Sequence, residues 1–361
     1  MATEPKSKKA ISLATKDLPD TAFKNLQLDL FQNFVANNKS ESDLLSNTID
    51  LWDNVPRYSI SRIKQSDLRS IDGFLPIRNI NFQYQSRAWQ AQIRPARIEQ
   101  RDKDGVLTGK SIEYYPSARE ELIEHALRKL ATQQNLGYLD LHDYRSGVSF
   151  SLHKLRKELI ERGHAMKYAD IVESLDILNL SNIRIINLET NKDAPSLVSQ
   201  AYLPVLLKVN KAGATTEPEA RWLVQFHSAL TQSMDQLTYR QFNYSRLMRC
   251  KSQLSRWLIF QLVLKYTFAS LIDPFKLLFS TVHRDSGLLN YTERRKGVDA
   301  LDMALEEIQT EGVLMTFEKN IRSGSRGSIT DVEYILKPTA KFAAEQKAAN
   351  LRGKDNREVL K

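Results

Sequence analysis

The chain has 361 residues, 42% of them hydrophobic and 26% charged, with a net charge of +9 and a single cysteine. That length exceeds what one core usually fills, so two domains are expected, and the basic surplus points to polyanionic partners. One cysteine excludes an internal disulfide and a multi-cysteine zinc site, and the lack of any run of about 18 apolar residues excludes a bilayer-spanning helix.

Residues 1–19 are polar, and Lys6, Lys8 and Lys9 precede no long apolar stretch, so no secretory signal is expected and the chain reads as cytoplasmic. Asp20-Thr21 caps an expected amphipathic helix with Phe23, Leu26, Leu30, Phe31, Phe34 and Val35 on one face. From Phe74 to Tyr115 the pattern turns to alternation, which predicts strands over Asn79–Tyr84, Ala88–Ile98 and Ser111–Tyr115. Asp102 to Gly105 supplies a hairpin turn, and Pro95 places part of the sheet at an edge or bulge.

Ser117 with Glu120 forms a capping box for a helix buried along Leu122, Ile123, Ala126, Leu127 and Leu130. After a short extended link, a helix is predicted over Leu152–Glu161, with Leu155, Leu159 and Ile160 inward. Arg162-Gly163-His164 turns the chain into a helix over Lys167–Leu180. Strands follow at Ile183–Leu188 and Val198–Leu203, joined by Glu189–Pro195, and Val205–Val209 is expected to extend their sheet.

Ala212–Pro218 reads as a linker, and Trp222–Phe226 and Tyr239–Tyr244 as strands. Ser252 or Ser255 starts an apolar helix through Trp257, Leu258, Leu262 and Val263. Asp273-Pro274 opens a short apolar helix closed by Asp285-Ser286-Gly287, and a further helix begins near Thr292 with Arg294, Arg295 and Lys296 in its first turn. Two strand-like runs, Gly312–Asn320 and Thr330–Leu336, flank a Gly/Ser/Arg tip, and Ala340–Leu351 is a weak Ala-rich helix. Helix, turn, basic helix, hairpin is the order of a winged helix, and that order occurs twice. The expected fold is α+β: two tandem winged-helix domains with an N-terminal helical and β-strand extension. The boundaries read as an arm over 1–46, a first domain over 47–212, a second over 219–345 and a polar tail over 346–361.

Charge is concentrated in the second half. Arg240 to Ala300 holds eleven basic and four acidic side chains, most of the whole surplus in about a sixth of the chain. Three cations at a helix start oppose the helix dipole, so stability alone gives them no use. A major groove does, and Arg294, Arg295 and Lys296 are the expected readers. Arg322 and Arg326 at the hairpin tip are expected to touch the DNA backbone, with Arg256 and Arg284 adding phosphate contacts. Lys154, Arg156, Lys157 and Lys167 are the matching set in the first half, more dilute and mixed with Glu158, Glu161 and Asp170. For each set the alternative is a solvated surface. The six histidines show no metal-ligand spacing, no phosphate-binding loop is present, and no catalytic residue or cofactor is expected. Cys250 reads as a helix-packing thiol.

Several blocks resemble the theta-type plasmid replication initiator (Rep) proteins of Gram-negative bacteria: Asn47 to Tyr58 (NTIDLWDNVPRY), Tyr115 to Glu121 (YPSAREE), Ser146 to Phe150, Leu155 to Leu159, Gly163-His164 and Ile171 to Leu178. Asn243-Tyr244, Leu254 to Leu258 (LSRWL) and Arg284 to Leu288 (RDSGL) resemble them too, so the likeness covers roughly 47–350. It implies two winged-helix domains, the second making the main base contacts. It also implies binding to iterons, the direct repeats of double-stranded origin DNA, opening of the adjacent duplex, and recruitment of the host initiator and replicative helicase. A homodimer in equilibrium with monomer, often repressing its own gene, is implied as well. Two rival readings are a tandem winged-helix transcription regulator and a nicking or strand-transfer enzyme using Tyr239 or Tyr244.

Overall fold

The computed structural model describes residues 45–102, 106–132, 137–140, 145–189, 197–209, 220–235, 239–324 and 328–359. The expected helix from Asp20 and the linker Ala212–Pro218 lie outside them.

The described chain opens with β1 (Leu45–Ile49), α1 (Asp50–Asn54) and α2 (Arg62–Leu68). Then come β2 (Arg78–Tyr84), β3 (Arg87–Arg94), β4 (Ala96–Arg101) and β5 (Leu107–Tyr114). The strand expected over Ala88–Ile98 is therefore two. Pro95 has no N–H for a ladder, and it separates β3, which pairs with β2, from β4, which pairs only with β5.

The first winged-helix order is α3 (Ala118–Ala131), β6 (Gly137–Asp140), β7 (Arg145–Ser151), α4 (Leu152–Glu161), α5 (Tyr168–Leu180), β8 (Asn182–Asn187) and β9 (Leu197–Ala201). The Glu120 carboxylate reaches back 2.8 Å to accept from the Ser117 backbone N–H, as the capping box requires. α3 is buried along nearly all its length, and α5 buries Ile171, Leu175 and Leu178 against it. Ile160 does not point inward as its spacing suggested; it is 43% exposed, because Leu155 and Leu159 already fill the buried side of α4. β10 (Val205–Val209) does not extend the β8–β9 hairpin either. It pairs with β11 (Arg221–Gln225) in a sheet ordered β10-β11-β7-β6, while the hairpin belongs to β2-β3-β8-β9.

α6 (Ser228–Asp235), β12 (Tyr239–Asn243) and α7 (Tyr244–Arg249) connect the halves, and β12 pairs with β1. The second winged-helix order is α8 (Gln253–Lys265), β13 (Phe275–Leu278), α9 (Phe279–Ser286), α10 (Arg294–Thr310), β14 (Leu314–Ser323) and β15 (Ile329–Pro338), followed by α11 (Ala340–Val359). The segment expected as a helix from Asp273 begins instead as a strand. A short, mostly apolar run fits either state, and here Phe275 to Leu278 pair with Leu336 to Glu333 of β15. The helix starts only at Phe279 and ends at Gly287, whose φ of +62° is the left-handed cap. A Cβ on Gly287 would also meet the Ser59 side chain at 3.0 Å, so this turn seats α9 against the first half.

The two halves share one continuous core, and α3 joins them. Arg256 on α8 donates to Glu121 at 2.8 Å, Gln253 donates to the Tyr58 carbonyl at 2.8 Å, and Gln261 donates to Asn54 at 3.1 Å. Beneath them lies a buried ion network. Asp53 accepts from Arg128 at 2.7 Å and pairs with Arg57 at 3.1 Å, and Glu124 pairs with Arg57 at 3.1 Å and accepts from the Trp52 indole at 2.7 Å. Burial pushes the Glu124 carboxyl up, but the Arg57 and Arg128 guanidiniums outweigh it and hold it down at about 2.

Removing one member of a buried network leaves an uncompensated charge. Glu124→Gln is expected to destabilise the protein by about 3–5 kcal/mol in urea unfolding; a loss below about 1 kcal/mol would mean the network is dispensable. Burial drives the His125 and His227 imidazoles down to about 3, so both are neutral in the fold yet protonate near the ordinary pKa of about 6.5 once unfolded. Acid therefore favours the unfolded chain. Stability should fall between pH 6.5 and 5, before carboxylates titrate, by on the order of 1–2 kcal/mol per histidine. A urea midpoint unchanged across that interval would contradict this placement of the two rings.

Candidate nucleic-acid interface

α10 is amphipathic in a way that decides which residues can meet a ligand. Gly297, Val298, Leu301, Ala304, Leu305 and Ile308 are buried against the body of the second half. Arg294, Arg295, Lys296, Asp299, Met303, Glu306 and Thr310 are exposed. The cations occupy the first turn only, and the acids follow. The helix thus presents a positive start and a negative continuation, which favours groove contact through its N-terminal turns over contact along its whole length.

The three first-turn cations are not equivalent. The Arg294 guanidinium donates to the Thr330 carbonyl of β15 and, at 3.3 Å, to that of Ile329, so it fastens the helix to the wing. Lys296 pairs with Glu293 at 2.8 Å, both ends being well exposed. Arg295 makes no hydrogen bond or ion pair among the described residues and stands into solvent.

The wing is held by further contacts that fix its angle to α10. Asp302 accepts from the Tyr334 hydroxyl at 2.6 Å and pairs with Lys319 of β14. Ser280, near the start of α9, donates its N–H at 3.1 Å and its hydroxyl at 2.7 Å to Asp331. Arg322 lies near the wing tip, 57% exposed and 3.4 Å from Glu333, while Arg326 lies outside the described residues.

Two expected phosphate contacts fare differently. Arg284 is part exposed but held by Asp285 at 2.7 and 2.9 Å, and those bonds push its pKa up. Asp285 also accepts from the Gln83 backbone N–H of β2 at 3.3 Å, so the pair sits at the junction of the halves. Arg256 does not contact a ligand at all. It is 1% exposed, bound to Glu121 and to the Cys250 and Lys251 carbonyls, because α8 runs through the interior rather than over the surface. Arg246 is likewise buried and spent on Glu345, so two of the eleven basic side chains in the charge cluster are internal.

In the first half, Lys157 and Lys167 are exposed and Lys154 is half-buried; Lys157 lies 3.8 Å from Glu161, and Lys167 stands just before α5 without a side-chain capping bond. Arg156 instead donates to the Met166 carbonyl at 2.8 Å and lies 5.0 Å over the Tyr168 ring, clamping the turn between α4 and α5. Sequence reading missed Lys64. Its ammonium donates to the Asn290 carbonyl at 2.9 Å and lies 5.6 Å over the Tyr291 ring, so α2 steadies the loop that launches α10. Nothing local signals this, since the partners are 226 residues apart.

Tyr244 is fully buried, with its hydroxyl pKa pushed well up by desolvation, so it is no nucleophile for a phosphodiester. The Cys250 thiol is buried and pushed up to about 12, as packing implies. No helix of the described residues is long and apolar enough to cross a membrane.

A helix, one or two strands, two further helices and a hairpin occur in that order twice, and with the exposed cationic start of α10 this order defines a chain of the tandem winged-helix class. No family model and no curated protein matches it. Solved structures do. The crystal structure of RctB domains 2-3 (RctB-155-483) aligns at a TM-score of 0.42 and 10% identity, covering 80% of this chain and 100% of that one. A selenomethionine crystal structure of domains 2 and 3 of RctB gives 0.44 and 12%, covering 76% and 98%. The Pi initiator protein in complex with iteron DNA gives 0.41 and 12%, covering 62% and 91%. All three scores lie below 0.5 at 10–12% identity, so neither fold nor residue role passes from them to this chain.

If Arg295 meets a base edge, Arg295→Ala should lower affinity for the preferred duplex by about 1–3 kcal/mol and relax preference at one position. An even loss across all sequences would place it on phosphate, and no loss in either measure would remove it from the interface.

Proposed function

We propose that this chain is a sequence-specific, non-enzymatic replication initiator. It binds iterons in double-stranded origin DNA, promotes opening of the adjacent duplex and recruits the host initiator and replicative helicase. It exchanges between monomer and homodimer and works in the cytoplasm without a cofactor. The carrying observation is the unpaired, exposed Arg295 at the N-terminus of the helix that precedes the wing, braced from three sides by Arg294, Lys64 and the Asp302 contacts. A guanidinium held out on a rigid element, with no partner of its own, suits bidentate donation to a guanine edge.

Arg295 and Lys296, with Arg322 at the wing, carry the major contact in this reading, and Lys154, Lys157 and Lys167 carry a second, weaker contact through the first half. Arg284 reaches phosphate only by sharing its guanidinium with Asp285. The initiator role, rather than plain regulation, is supported by the sequence blocks from Asn47 to Leu288.

Footprinting on the DNA flanking its own gene tests the reading. Protection of several equally spaced direct repeats is expected, with supercoiled plasmid left intact in the presence of metal ions. Protection of one palindrome alone would point to the regulator, and a nicked product covalently attached to the protein would point to the enzyme.

A further inference from the structure

We propose that Asp299 selects a base: its carboxylate accepts a hydrogen bond from an exocyclic amino group in the major groove, cytosine N4 or adenine N6, one helical turn behind Arg295. This rests on the DNA-reading function above and assigns a second specificity element to the same helix.

Charge accounting on α10 leads there. Arg294 is tied to the wing carbonyls, Lys296 to Glu293, and Asp302 to Tyr334 and Lys319. Arg295 and Asp299 are the residues left over near the helix start. They stand at i and i+4, the spacing at which opposite charges meet on a helix, yet no ion pair forms between them. Both are exposed, and at 100° per residue they fall within the same outward arc as Met303 and Glu306. A helix that only touched phosphate would be weakened by a carboxylate so close to its cationic start, since the two are about 6 Å apart along the axis.

An ionised carboxylate can only accept. The major-groove edge offers donors at two places, the amino groups of cytosine and adenine, and acceptors at guanine and at thymine O4. Asp299 would gain a hydrogen bond from the first two and be repelled by the others, so one side chain supplies both the attraction and the penalty that selectivity needs. The axial offset from Arg295 corresponds to about two base-pair steps of 3.4 Å.

The test is selection of bound duplexes from a random pool by the full chain and by its R295A, D299A and D299N variants, with affinity for a non-selected duplex measured alongside. The wild-type pool should fix C or A about two steps from the base whose preference R295A abolishes, and the enriched base tells which amino group is used. D299A should lose discrimination at that position on the order of tenfold while keeping the rest of the pattern. D299N, which adds a donor beside its acceptor, should move the preference towards adenine. If D299A raises affinity for every duplex equally and leaves each position's preference intact, the carboxylate merely repels DNA and the proposal is overturned. A folded wild-type chain that enriches no sequence would overturn the DNA-reading function itself, and this assignment with it.

Discussion

Three buried glutamates on one helix hold the molecule together. Glu120, Glu121 and Glu124 all lie on α3, and each meets an arginine from another element, Arg62 for the first, Arg256 for the second and Arg57 for the third, while Arg119 and Arg128 of α3 itself add to the first and third. A buried carboxylate is tolerated only when paired and fully hydrogen-bonded, so each glutamate dictates where its partners' elements must lie. Glu124 fixes the segment through α1, and Glu121 fixes α8 and through it the second winged helix. The pairing demand makes the relative placement of the halves a matter of electrostatics as much as of apolar packing.

That placement has a consequence at the surface proposed to face DNA. α8 packs on α10, and α2 reaches the loop before α10 through Lys64. α10 is therefore braced from behind by its own half and from the side by the other. Arg294, itself a surface cation, is used as a brace between helix and wing. Rigidity of this kind lets Arg295 stand out without a partner, since its direction is set by the helix and not by a contact of its own.

The blocks that stand out in the sequence are mostly the blocks that build this frame. NTIDLWDNVPRY contributes Trp52, Asp53, Arg57 and Tyr58 to the buried network; YPSAREE contributes the capping box and Glu121; LSRWL contributes Arg256; RDSGL contributes the Asp285 contact to β2 and the Gly287 cap. Charged residues inside a core have few substitutes, so they make recognisable words. The same fact misleads a reading by charge alone. Arg246 and Arg256 count as basic surface in the sequence and are interior in the fold, because nothing local records that Glu345 and Glu121 will meet them.

Periodicity and capping by themselves determined the helices α3, α4, α5, α8 and α10, the winged-helix order and the exposed cationic first turn of α10, since these depend on neighbours within one or two turns. Tertiary structure alone decided that Phe275 to Leu278 is a strand, that Val205–Val209 joins β11 rather than β9, and which cations are free. Each of those outcomes is set by a partner far along the chain, a β15 edge, a β11 ladder or a buried carboxylate, and the local sequence carries no trace of the energy that the distant partner supplies.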